Sequence, residues 1–120
     1  MNASLMAQAA YSNETGAIRT PRSTEYDVFA RITSALRKAK SPVQIADAIM
    51  KNRDLWTILA AEVADPANPL PKSLRARIFY LSEYVVHESR RVLRGESNTE
   101  ALVDVNTAVM SGLRQRAPTA

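Results

Sequence analysis

The chain has 120 residues, of which 46% are apolar and 23% charged, enough for one modest core and too apolar for wholesale disorder. It has no cysteine, which excludes disulfides, thiolate metal sites and cysteine nucleophiles and suits a reducing cytoplasm. The net charge of +4 permits an acidic partner or nucleic acid, yet the 16 Lys and Arg residues are scattered rather than massed in one tail.

The opening stretch MNASLMAQAAYSNE lacks the basic start and apolar core of a signal peptide, and no apolar run approaches the roughly 18–20 residues that span a bilayer. A cytoplasmic protein without membrane insertion is therefore expected. Residues 1–22 are mixed: Ala3–Tyr11 could form a short helix, but Ser12–Pro21 is polar and contains Gly16 and Pro21, so the stretch reads as a mobile arm ahead of a single domain over 23–115. Thr24 offers an N-cap with Asp27 three residues on. Val28, Phe29, Ile32, Leu36 and Ala39 then recur at helical spacing, with Arg31, Arg37 and Lys38 turned outward, which predicts a helix over about 24–40.

Ser41-Pro42-Val43-Gln44 is a strong start signal. It joins a serine cap, a proline at the first turn and a glutamine three residues past the cap. Ile45, Ile49, Trp56, Leu59 and Val63 form the apolar stripe of a helix over about 42–65, with Asn52 in the skipped position. Asp65-Pro66-Ala67-Asn68-Pro69-Leu70-Pro71 cannot be helical, because its prolines remove donors and clash with the preceding turn. The next helix, about 72–94, repeats the stripe with Leu74, Ile78, Leu81, Val85, Glu88 and Val92, and closes on Arg90, Arg91, Arg94 and Gly95. Ser97-Asn98-Thr99-Glu100 reads as a capping box opening a last helix over about 98–114, with Leu102, Val105, Val109 and Leu113 on one face. Residues 116–120 read as a disordered tail. No stretch alternates as a strand would.

The expected fold is all-α: a small helical bundle organised on a long antiparallel hairpin, about 42–65 and 72–94, with flanking helices over about 24–40 and 98–114. Folding the hairpin about its prolines sets Val63 opposite Leu74, Leu59 opposite Ile78 and Trp56 opposite Leu81. The same register brings Asn52 within about a turn of Glu88, and a buried polar group without a partner costs roughly 1–3 kcal/mol, so these two are expected to approach. The bland alternative leaves both at the edge of narrow stripes.

A search for chemistry finds little. His87 is the lone histidine, no nucleophile is set beside it, and no metalloprotease, EF-hand, Walker or dinucleotide-binding motif is present. An enzyme, a metal site and a cofactor are therefore not expected. Basic clusters at Lys72, Arg75 and Arg77 and at Arg90, Arg91 and Arg94 offer a nucleic-acid contact, although cations are favoured at a helix C-terminus in any case. Met50, Leu55, Phe79, Tyr80, Tyr84, Val86 and Leu93 lie off the stripes. They are either further core or surplus apolar surface for a partner.

Leu55-Trp56-x-x-Leu59 and Pro66-x-Asn68-x-Leu70-Pro71-x-x-Leu74-Arg75-Ala76 resemble the FlaF family of flagellar biosynthesis regulators from alphaproteobacteria. The likeness extends to Glu88, Gly95, Leu102, Val105-Asn106 and Gly112-Leu113, and back to Ala10-Tyr11 and Glu25–Phe29. Val105 and Val109 depart from it, standing where isoleucine is expected. The resemblance implies a cytoplasmic, non-enzymatic factor for flagellin production, which associates with flagellin and assists its export alongside the partner regulator FlbT. Under that reading the flagellin-binding residues are Tyr11, Leu55, Trp56, Phe79, Tyr80 and Tyr84, the arm covering an empty groove with Tyr11. The alternative is a post-transcriptional regulator that acts on flagellin mRNA, either through FlbT or by direct contact from Arg90, Arg91 and Arg94.

Overall fold

The computed structural model describes residues 21–116 as four α-helices: α1 Pro21–Lys38, α2 Pro42–Ala64, α3 Lys72–Leu93 and α4 Glu100–Arg116. Of the expected arm, residues 1–20 lie outside the described residues, Tyr11 among them, while Pro21 and Arg22 open α1. The expected tail lies outside them as well, from 117 onward.

Local chemistry sets most helix ends. At α2 the Ser41 hydroxyl accepts from the Gln44 amide at 3.1 Å, and Gln44 Oε1 accepts from the Ser41 and Lys40 amides, with Pro42 in the first turn. The proline turn that ends α2 is held by its own polar groups. Asp65 Oδ1 accepts from the Ala67 amide, Asn68 Oδ1 from the Leu70 amide, and Asn68 Nδ2 donates to the Glu62 carbonyl. Arg75 reaches back from α3 to donate to the Asp65 carbonyl at 3.2 Å. α3 ends in a Schellman motif, in which the Gly95 amide donates to Val92 O and the Glu96 amide to Arg91 O. That motif needs the left-handed backbone of Gly95, at φ +78°. A Cβ there would meet nothing within 4 Å, so Gly95→Ala meets only the backbone penalty. Thermal melting is expected to show a loss of about 1 kcal/mol.

Two ends differ from the sequence reading. α1 begins at Pro21, a turn earlier than Thr24, since proline's fixed φ suits a first turn and Thr24 stands inside the helix. α4 begins at Glu100, so Ser97 is no cap. Its hydroxyl donates instead to the Glu88 carboxylate, and Asn98 Oδ1 takes the Glu100 amide. As a cap the Ser97 oxygen would accept from the Glu100 amide, but Asn98 takes that donor, and the Ser97 hydroxyl makes a charge-assisted bond to Glu88 instead.

The helices run alternately up and down and pack as a ring, each against its chain neighbours and α4 against α1, while diagonal pairs bring no Cα atoms within 8 Å. The α2–α3 contact is the most extensive and α1–α4 the next. Phe29, Leu36, Ile49, Trp56, Val85 and Leu102 fill the centre, with Ile45, Leu59, Ile78, Leu81, Val105 and Val109 packed around them. Each helix buries a wider face than a single stripe, because two neighbours flank it. Ala48 and Leu55 are buried beside the α2 stripe for this reason. Leu113 lies in α4, but its side chain is outside the described set.

Candidate partner interface

The outer side of α3 carries the apolar surface that the core leaves over. Tyr80 is 70% exposed, Phe79 44% and Tyr84 37%. At about 100° per residue, Tyr80 and Tyr84 are stacked neighbours one turn apart. Phe79 lies on the adjoining flank, in line with Val86 and the 45%-exposed Leu93 at seven-residue spacing. Exposed Lys72, Arg77, His87 and Arg90 surround these rings, with Glu83 the acid among them. The inward side of the same helix is spoken for by Val85, Glu88 and Val92, and by Ser82 and Ser89, whose hydroxyls bond the Phe79 and Val85 carbonyls. Among the described residues nothing covers this face of α3, and the core beneath it is closed. On α2, Val43 and Met50 are also exposed, on the side turned away from the core.

The other residues singled out in the sequence lie elsewhere. Leu55 and Trp56 are buried at 3% and 0% and do not join the α3 face. Trp56 meets Phe29 edge to face, with ring centroids 5.8 Å apart. Of the three C-terminal arginines of α3, Arg91 binds Glu88 at 2.9 Å and Arg94 binds Glu96 at 2.8 Å, which leaves Arg90 exposed on the α3 face. Among the described residues no three His, Cys, Asp or Glu side chains gather as metal ligands would, and no helix is long and apolar enough to cross a membrane.

A second feature, the bundle's polar centre, is only half visible in the sequence. Asn52 is fully buried, but its partner is Asn106 of α4, not Glu88. The expected Asn52–Glu88 approach is therefore replaced by two separate networks. Trp56 Nε1 donates to Asn106 Oδ1 at 2.8 Å, which orients the Asn106 amide, since an indole N–H can only donate. Asn106 Nδ2 then donates to Asn52 Oδ1 at 2.8 Å and to Thr33 Oγ1 at 3.1 Å, and Asn52 Nδ2 is left buried without a partner among the described residues. Glu88 accepts from Ser97 at 2.5 Å and from Arg91 at 2.9 Å. These contacts, led by the Ser97 hydroxyl and opposed by burial, hold its carboxyl below the ordinary glutamate value.

Fold and surface together define a small all-helical bundle with an exposed aromatic helix face and a sealed polar core. The model of the family described as flagellar protein FlaF matches residues 7–113, all of α1 to α3 and most of α4. The chain belongs to the FlaF family and is a flagellar protein. No curated protein and no solved structure matches it.

Proposed function

We propose that this chain is a cytoplasmic, non-enzymatic factor that binds unassembled flagellin through the outer face of α3 and promotes its synthesis and export. The observation carrying this reading is the exposure of Phe79, Tyr80 and Tyr84 on a helix whose inner side is already packed. Aromatic side chains of this size on an open helix face suit an amphipathic helix laid alongside, and flagellin's helical end segments would otherwise self-associate before export. Membership of a flagellar family supports the choice of partner.

The reading is tested with purified flagellin and the full chain. Phe79→Ala and Tyr84→Ala together are expected to weaken binding at least tenfold, with stability held to within about 0.5 kcal/mol because both rings are exposed. Unchanged affinity in the double variant would sink the assignment of this face. Direct contact with flagellin mRNA finds less support, since Arg91 and Arg94 are engaged by Glu88 and Glu96. If RNA or FlbT mediates the association instead, ribonuclease treatment or omission of FlbT will abolish co-purification of flagellin from cells.

A further inference from the structure

We infer that the bundle is built to open as two helix pairs, α1 with α4 parting from α2 with α3 along the polar seam of Thr33, Asn52, Trp56 and Asn106.

Connectivity permits such a motion. The pairs are joined by two connectors, residues 39–41 and 94–99, and the up-down order puts both at the same end of the bundle. The third connector, 65–71, lies at the opposite end and belongs wholly to the α2–α3 pair. Each pair is also tied within itself. Asn68 fastens the 65–71 turn to α2 and Arg75 fastens it to α3, while Thr99 Oγ1 donates to Leu36 O and Arg37 to Thr107 Oγ1 between α1 and α4. The two most extensive helix contacts are those inside the pairs.

The boundary between the pairs is largely apolar, Phe29 against Trp56 included, but the polar groups at its middle lower the cost of parting there. Thr33 and Asn106 come from one pair, Asn52 and Trp56 from the other, and all four are at most 1% exposed. Among the described residues two hydrogen bonds cross the seam, Trp56 to Asn106 and Asn106 to Asn52, while Asn52 Nδ2 has no acceptor. In the closed state that donor bears an unrelieved desolvation penalty. In the open state water satisfies it and replaces both crossing bonds, so these groups resist opening less than an apolar layer of the same area. Opening uncovers Ile49 and Trp56 on the hairpin, residues that no partner can reach in the closed bundle.

Native-state amide hydrogen exchange on the full chain, across sub-denaturing guanidinium, tests this. Parted from α2 and α3, α1 and α4 lose the apolar burial that keeps them helical, so their central amides are expected to converge on one shared opening. Their protection should be at least tenfold below that of central α2 and α3 amides, with a shallower denaturant dependence. Asn52→Leu removes both unpaired N–H groups of Asn52, strands one N–H of Asn106 in their place, and keeps the Trp56–Asn106–Thr33 chain, so one stranded donor fewer remains in a more apolar seam. It should slow exchange in α1 and α4 tenfold or more relative to α2 and α3. Equal protection in all four helices through one global unfolding overturns the inference, as does exchange of α1 independent of α4. Asn52→Leu without effect on α1 and α4 overturns the role of the seam. Should that variant fail to fold, the wild-type profile decides alone.

Discussion

Asn106→Ala is expected to lower the unfolding free energy by about 4 kcal/mol, the largest loss from any single polar side chain in the bundle. Asn106 is fully buried and engages Trp56, Asn52 and Thr33 through one amide. Alanine leaves the Trp56 N–H without an acceptor, and an indole nitrogen has no other role to fall back on. Asn52, already carrying an orphan donor, also loses the donor to its oxygen. Each stranded buried group costs roughly 1–3 kcal/mol, and the vacated volume adds a cavity term. Against a total of about 5–15 kcal/mol for a domain, the loss would take a large share of the stability. Denaturant titration followed by circular dichroism measures it. Asp104→Ala, two residues before Asn106 and exposed, is the control and should stay within about 0.5 kcal/mol. A similarly small change at Asn106 would mean that the amide network is not what closes the core.

The contrast between Asn106 and Ser41 shows which parts of this fold can be read from sequence. Ser41, Pro42 and Gln44 act on backbone groups within four residues, so their pattern alone specifies the start of α2. The proline turn is equally local, and with it came the α2–α3 hairpin and the all-α bundle. Asn52 could be recognised as a polar break in an apolar stripe, but its partner lies 54 residues away on α4. Reasoning from hairpin symmetry searched only α3 and so reached Glu88. Glu88 is indeed buried, but its partners are Ser97 and Arg91, because the chain turns back at Gly95 and carries the Ser97 hydroxyl to its carboxylate. Thr33 gave no signal, as a threonine in an amphipathic helix looks the same facing water or an amide. At the candidate face, position off the stripe left Phe79, Tyr80, Tyr84 and Leu55 alike as either core or surplus surface; the first three are exposed, and Leu55 is buried because α2 has two neighbours to bury against.

Glu88 supplies the second large effect, and it depends on pH. The side chain is 4% exposed, and its carboxylate is held by Ser97 and by Arg91, itself 41% exposed. Glu88→Ala removes the acceptor that anchors the 94–99 connector and frees a guanidinium that can rehydrate. The loss is expected at about 2 kcal/mol, below the 3–5 kcal/mol typical when a fully buried charge is stranded. Because the folded carboxyl titrates below its ordinary value of 4.5, the charged form is what the native state prefers. Its contribution is therefore fully present above the unfolded-state pKa, and it is lost as pH falls through the lower folded-state value. Glu96, also lowered by Arg94, acts in the same direction from an exposed position, so the Glu88 effect must be isolated by difference. Wild type and Glu88→Gln melted side by side from pH 7 down to pH 3 provide that difference. The wild type should be the more stable above about pH 4.5, with the gap narrowing steadily below it. A gap near zero over the whole range would show that the carboxylate's charge contributes nothing and that glutamine fills the site equally well, and a constant non-zero gap would assign the loss to contacts that do not titrate. A gap that widens toward acid would place the folded pKa above the unfolded one, with burial rather than Ser97 and Arg91 governing the group.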